Sequence, residues 1–103
     1  MRLVGKVALI TGAAKGVQGD LMGLGGAMAR LFAREGARVV VTDIDVDTGG
    51  ETVSEICKEG GDARFVRLDV TSEQQWIDVI RDTVSSLGRL DILVNNAGTG
   101  NRL

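Results

Sequence analysis

The sequence contains no tyrosine, no histidine and no proline, and it has a single cysteine, Cys57. Each absence removes a class of chemistry. Without Tyr or His, a mechanism that relies on either as general acid or base cannot run on this chain alone. One cysteine and no histidine exclude an internal disulfide and the usual zinc sites. No cluster of acids has convincing ligand spacing for a hard cation. Cys57 falls in a helical pattern with Val53 and Ile56 and reads as a small core residue; no histidine is present to activate its thiol. No apolar run approaches the length needed to span a bilayer. The opening Met1-Arg2-Leu3-Val4-Gly5-Lys6 lacks the long apolar stretch of a signal peptide, so a cytoplasmic location is expected. The net charge is −2 and no Lys/Arg cluster stands out, which speaks against nucleic acid or a membrane surface as partner.

What the chain does contain is an alternation. Its 103 residues suffice for one domain. Lys6 to Ile10 is a nearly continuous apolar run ending at Thr11-Gly12, the pattern of a strand covered on both faces. From Leu24 the period becomes helical, with Leu24, Ala27, Met28, Leu31 and Phe32 on one stripe and Gly36 as its stop. Ala37 to Thr42 is a second strand, ending at Asp43. Thr48 and Glu51 have capping-box spacing for a second helix, closed by Gly60-Gly61. Ala63 to Leu68 is a third strand. Thr71 with Gln74, or Ser72 with Gln75, caps a third helix whose stripe is Trp76, Ile80, Thr83, Val84 and Leu87 and whose stop is Gly88. Leu90 to Val94 is a fourth strand and runs into Asn95-Asn96-Ala97-Gly98. The order β-α-β-α-β-α-β predicts an α/β fold with a parallel sheet and right-handed crossovers.

The one compositional anomaly is the glycine-dense stretch from 12 to 26. It follows a strand and precedes an amphipathic helix, the context in which backbone N–H groups and a helix N-terminus bind a pyrophosphate. Glycines are needed where phosphates approach the backbone too closely for a Cβ. Asp43, at the end of the second strand, stands where a carboxylate accepts hydrogen bonds from the ribose hydroxyls of a dinucleotide. It would repel a 2′-phosphate and so favours NAD over NADP. Lys15 pulls weakly the other way. The plain alternative for Asp43 is a solvated loop acid beside Asp45 and Asp47.

Three segments carry a family resemblance: Thr11-Gly12-Ala13-Ala14-Lys15-Gly16, Leu68-Asp69-Val70, and Leu90-Asp91-Ile92-Leu93-Val94-Asn95-Asn96-Ala97-Gly98. Together they resemble the short-chain dehydrogenase/reductase family over residues 3 to 98. The resemblance implies a Rossmann-type three-layer αβα fold, incomplete here, with about four strands ordered 3-2-1-4. It implies an oxidoreductase that moves hydride between an alcohol or ketone and a nicotinamide cofactor. Gly12, Gly16, Gly23, Leu24 and Gly25 then match the glycine loop and helix start. Asp43 matches the ribose position, and Asp69 and Val70 match the adenine contact. Asn95, Ala97 and Gly98 match the segment that lines the cofactor ribose, while Asp91 matches a structural position. Asn95 and Asn96 also have a plain reading as caps of a strand-to-loop turn.

The chain departs from the family pattern twice. In Thr-Gly-x-x-x-Gly-x-Gly the third glycine belongs at position 18, which is Gln18. Counting back along the first helix, Gly23-Leu24-Gly25 takes the place of Gly-x-Gly. Residues 16 to 22, or an equivalent stretch shifted by one, are then an insertion of about seven. Gly19-x-x-x-Gly23-x-Gly25 also fits the spacing, but no strand precedes Gly19. The second departure is at Leu103. The family's catalytic Ser, Tyr-x-x-x-Lys pair and supporting Asn all follow the fourth strand, so none is carried over, and the chain alone is expected to be inactive. The alternatives are a non-catalytic module that holds a nucleotide or pairs with a partner, and a non-functional truncated product. The fourth strand and the face beside the third helix are expected to expose apolar surface that favours self-association.

Overall fold

A computed structural model of the chain describes residues 2–12 and 24–96. The sequence expectations for Gly16, Gly23, Ala97, Gly98 and the insertion at 16–22 lie outside the described residues. The elements run β1 (Val7–Thr11), α1 (Leu24–Arg34), β2 (Arg38–Asp43), α2 (Val46–Lys58), β3 (Asp62–Arg67), α3 (Glu73–Leu87) and β4 (Ile92–Asn95). The strands form one parallel sheet in the order β3-β2-β1-β4. Strand ends differ by one or two residues from those read off the apolar runs, because a run locates a strand better than it locates where pairing stops.

β1 is buried at every position, from Val7 to Thr11. Side chains alternate across a strand, so adjacent residues feed opposite layers. Ile10, Val39 and Val41 join Ala29, Ala33 and Ile56 on the side of α1 and α2. Leu9 and Val40 join Leu68 and Val79 on the side of α3, with Trp76 and Leu87 packed against them. The result is three layers, αβα. Each fully buried Leu, Ile or Val stabilises this arrangement by roughly 1.5–3 kcal/mol. Among the described residues, no helix is long and apolar enough to cross a membrane.

The helices adopt seams that differ from the expected stripes. α1 buries Gly25, Gly26, Ala29 and Ala33, while Ala27 and Leu31 are exposed and Met28 and Phe32 are half-buried. The reason is size: glycine and alanine at spacings of four let the helix lie close to the sheet, whereas a leucine stripe would hold it away. α2 begins earlier than the Thr48–Glu51 capping box implied. Asp45 is its N-cap, accepting from Thr48 N at 3.1 Å and from the Thr48 hydroxyl at 2.7 Å. These bonds, the hydroxyl first, hold the Asp45 carboxyl below its ordinary value. The buried stripe of α2 is Gly49, Thr52 and Ile56. Cys57, one residue further round, is exposed rather than in the core. Its thiol points to the Ala63 carbonyl at 3.6 Å.

In α3 the second capping option is the one used: Ser72 Oγ accepts from Gln75 N at 3.2 Å. The buried positions are Val79, absent from the expected stripe, and Thr83, with Trp76, Ile80 and Leu87 half-buried and Val84 exposed. Gly88 ends the helix with φ +85°, a left-handed turn that glycine adopts without a Cβ clash. Beyond it, Asp91 ties β4 to the start of β1. Its Oδ2 accepts from Val7 N at 2.9 Å, and its own N–H donates to Val7 O at 2.9 Å. Arg89 grips both Asp91 oxygens at 2.8–3.0 Å. That guanidinium, and after it the Val7 N–H, holds the Asp91 carboxyl below its ordinary value.

Two neighbouring glycines in α2 separate packing from helix propensity. A Cβ on Gly49 would overlap the Phe65 ring, whereas a Cβ on Gly50 would meet nothing within 4 Å. Gly49→Ala is expected to destabilise the chain by about 1–3 kcal/mol through overpacking. Gly50→Ala is expected to stabilise it by up to about 1 kcal/mol through helix propensity. Urea denaturation measures both, and a Gly49→Ala variant as stable as the parent would contradict the close seating of α2 on β3.

Candidate functional site

In a parallel sheet every strand leaves at the same edge, and the order β3-β2-β1-β4 reverses direction at β1. The crevice outside the carboxyl ends of the strands at such a reversal is where open α/β sheets bind ligands. Registers Thr11↔Thr42, Thr11↔Asn95 and Asp43↔Arg67 bring the four exits side by side. Gly12, Asp43, Asp69, Val70 and Asn95 therefore share this edge. Leu24 and Gly25 open α1, with Gly25 buried.

The exit of β1 is locked to the exit of β4. Thr11 Oγ1 accepts from Asn96 N at 2.9 Å, and its hydroxyl lies within range of Asn95 Oδ1 (3.1 Å) and the Val94 carbonyl (3.4 Å). Asn96 Nδ2 donates back to Gly12 O at 3.3 Å. Gly12 leaves the strand with φ +62°, which turns the chain sharply where a Cβ would be strained. On the other side, the buried Thr42 hydroxyl donates to Ile10 O at 2.9 Å. Thr42 and the Thr11 hydroxyl hub were not among the expected site residues; the signal for them is a threonine ending each of two adjacent buried strands. The side chains of Asn95 and Asn96 thus reach across to β1 and Gly12.

The exits of β2 and β3 are joined by Leu68 N donating to Asp43 O at 3.0 Å. Asp43 is half-buried, and its Oδ1 accepts from Asp45 N at 2.9 Å, an Asx turn that fixes the carboxylate. Asp69 Oδ1 accepts from the Thr71 hydroxyl at 2.6 Å and from Thr71 N at 2.9 Å. The hydroxyl first, then the amide, keeps the Asp69 carboxyl below its ordinary value, so it stays an anionic acceptor at neutral pH. α3 reaches into this loop: Gln75 Oε1 accepts from Asp69 N at 2.8 Å and Trp76 Nε1 donates to Val70 O at 2.8 Å. Gln75 and Trp76 were read only as a capping and a core residue.

The edge thus presents two fixed carboxylates, the turn at Gly12 and the start of α1. Hydroxyl donors of a ribose and the amino group of a base are what such acceptors bind. Among the described residues there is no group of three or more His, Cys, Asp or Glu side chains able to hold a metal ion. A separate crevice between α1 and α2, lined by Arg30, Arg34, Glu59 and Gly61, lies where both helices end. Arg30 is ion-paired with Glu55, and Arg34 closes α1, where the carbonyls of the helix C-terminus disfavour an anion.

Comparison with known proteins agrees with this geometry. The model of the short chain dehydrogenase family matches residues 6–103. The 2,5-dichloro-2,5-cyclohexadiene-1,4-diol dehydrogenase of Sphingobium indicum is 47% identical over 97 residues, 94% of this chain and 36% of its own length. The 7alpha-hydroxysteroid dehydrogenase of Escherichia coli is 46% identical over 100 residues, 97% of this chain and again 36% of its own. The crystal structure of a metagenomic short-chain oxidoreductase in complex with NADP superposes with a TM-score of 0.87 at 36% identity, over 97% of this chain and 42% of that one. The chain spans 36% of the length of these two curated relatives. Matched across nearly all of its residues in sequence and in fold, the chain belongs to the short-chain dehydrogenase family.

Proposed function

We propose that this chain is the NAD-binding portion of an oxidoreductase that transfers hydride between a secondary alcohol or ketone and a nicotinamide. The observation that carries the reading is the convergence of Gly12, Asp43, Asp69, Val70 and Asn95 on the carboxyl edge. Gly12, with Gly16, Gly23, Leu24 and Gly25, holds the pyrophosphate against the backbone and the start of α1. Asp43 accepts from the ribose hydroxyls, Asp69 and Val70 meet the adenine, and Asn95, Ala97 and Gly98 line the second ribose. When bound, the nicotinamide supplies the hydride acceptor. The residues of this chain bind and orient it. With no tyrosine in the sequence, the chain supplies no tyrosine to exchange a proton with a substrate oxygen, and the reading assigns it binding without turnover.

Asp43 supports NAD over NADP, because a fixed carboxylate repels a 2′-phosphate. The NADP complex of the metagenomic relative belongs to that protein. The span from Gly12 to α1 is about seven residues longer than the family pattern, counted as 16 to 22. Added loop length costs little entropy, but turn and helix start must meet one pyrophosphate, so the reading includes weak affinity. Calorimetry on the chain and on a form lacking residues 16–22 tests both parts. NAD is expected to bind the shorter form more tightly, and both forms are expected to prefer NAD to NADP. Asp43→Asn should narrow that preference. No gain on deletion would contradict the loop argument, and equal affinity for NADP would contradict the role of Asp43.

A second reading, pairing with another copy, is favoured by one surface. Among the described residues β4 is an edge strand, and Leu93, in register with Leu9 on the α3 side, is 50% exposed. Ile77 and Val84, seven residues apart on α3, are 48% and 43% exposed. An unpaired strand edge beside apolar side chains favours association. Sizing chromatography over a range of concentrations is expected to show a dimer or larger species; a monomer throughout would contradict it.

A further inference from the structure

The segment from Leu68 to Ser72 is held almost entirely by its own amides. Leu68 N donates to Asp43 O, Asp69 N to Gln75 Oε1, Thr71 N to Asp69 Oδ1, and Ser72 N to Asp69 O. Val70 N–H makes none of these bonds. The Val70 carbonyl is likewise taken, by the Trp76 indole N–H at 2.8 Å. Both Thr71 bonds go to Oδ1 of Asp69, which leaves Oδ2 outside them. The segment therefore presents one carboxylate acceptor and, at the next residue, one backbone donor. Adenine offers the complement, a 6-amino donor beside the N1 acceptor. Hypoxanthine offers the reverse, a 6-oxo acceptor beside an N1–H donor.

The Asp69 carboxylate is fixed by Thr71, and two bonds from α3 bracket the peptide that carries the Val70 N–H. Gln75 reaches the amide of Asp69 and Trp76 reaches the carbonyl of Val70, so the peptides before Asp69 and after Val70 are both tied to the helix and limit how the Asp69–Val70 peptide between them can turn. Trp76 is itself held by packing against the Leu9, Val40, Leu68 and Val79 cluster. A half-buried indole N–H needs a partner, so packing and hydrogen bond support one another. The Ser72 cap makes only half of a capping box, since the Gln75 side chain turns to Asp69 N instead of back to Ser72 N. The helix gives up that bond and the loop gains a fixed amide.

Resting on the nucleotide reading above, we infer that Gln75 and Trp76 are positioning residues that hold the Asp69–Val70 pair in register and thereby set a preference for adenine over other purines. They touch no nucleotide; they limit how far donor and acceptor can drift, and preorganisation of this kind appears as selectivity.

The test is calorimetry with adenosine and inosine monophosphates on the chain and on two variants, with a thermal melt of each. Trp76→Phe removes the N–H and keeps an aromatic ring. Gln75→Met removes the acceptor and keeps the length. A hydrogen bond to a charged group supports a preference for the adenosine nucleotide of about tenfold in the parent. In both variants the ratio is expected to fall to about twofold while affinity for the inosine nucleotide stays unchanged. A merely structural role would weaken both ligands alike. Trp76 is the sole tryptophan, so its emission in the parent chain gives a second readout that needs no variant. It is expected to shift with the adenosine nucleotide and to stay put with the inosine one. Equal binding of the two nucleotides by the parent, or variants that keep the parental ratio, would overturn the inference. A parent chain that binds neither the adenosine nucleotide nor NAD would overturn instead the nucleotide reading on which it rests.

Discussion

The pairing of β1 with β4 positions everything else at the site. At one end of the pair, Asp91 closes a two-way bond with the backbone of Val7 and is itself gripped by Arg89. At the other, the Thr11 hydroxyl receives Asn96 N and lies beside Asn95, while Asn96 reaches Gly12. Between these clamps β1 is buried on both faces. A strand held in this way cannot slip register without breaking both end clamps and exchanging the side chains packed in the two layers. Since the strands are parallel, a fixed β1 also fixes where β2 and β4 end. The site is a consequence of that alignment.

Charge is distributed consistently with it. Asp43 and Asp69 sit at the carboxyl edge, each fixed by a local turn, and Asp45 caps α2 close by. Thr71 and Thr48 keep the second and third of these carboxylates below their ordinary range. Concentrating anionic acceptors at one edge costs little when each is held by short hydroxyl and amide bonds rather than buried without partners. Open α/β sheets bind ligands at this edge, and the residues that hold the strand exits in place are the ones that line it.

The topology was legible because its signals are local. Short apolar runs closed by Thr-Gly or Asp, and helical periods closed by glycine, mark strand and helix in turn, and the observed order 3-2-1-4 follows the family resemblance. The helix seams were less legible. α1 seats on Gly25, Ala29 and Ala33, residues that carry little hydrophobic signal, so large side chains drew the stripe one position aside. Cys57 was assigned to the core for the same reason, its neighbour Ile56 being the buried one. The cap of α2 moved from Thr48 to Asp45 because both residues can cap and only the chain direction out of β2 decides between them. At the strand exits, Gly12, Asp43, Asp69, Val70 and Asn95 belong to motifs, whereas Gln75 and Trp76 belong to none. Their bonds run from a helix to the backbone of a preceding loop, a contact that no spacing rule encodes.

The central claim is that four strand exits converge on one dinucleotide. Backbone amide shifts in a 15N-labelled chain titrated with NAD test it most directly. The account predicts movement at Gly12, Asp43, Asp69, Val70 and Asn95, with little at Val7, Arg38, Asp62 and Asp91 on the opposite edge. Shifts confined to that opposite edge or to the crevice around Arg34 and Gly61, or no shifts at saturating NAD, would contradict it.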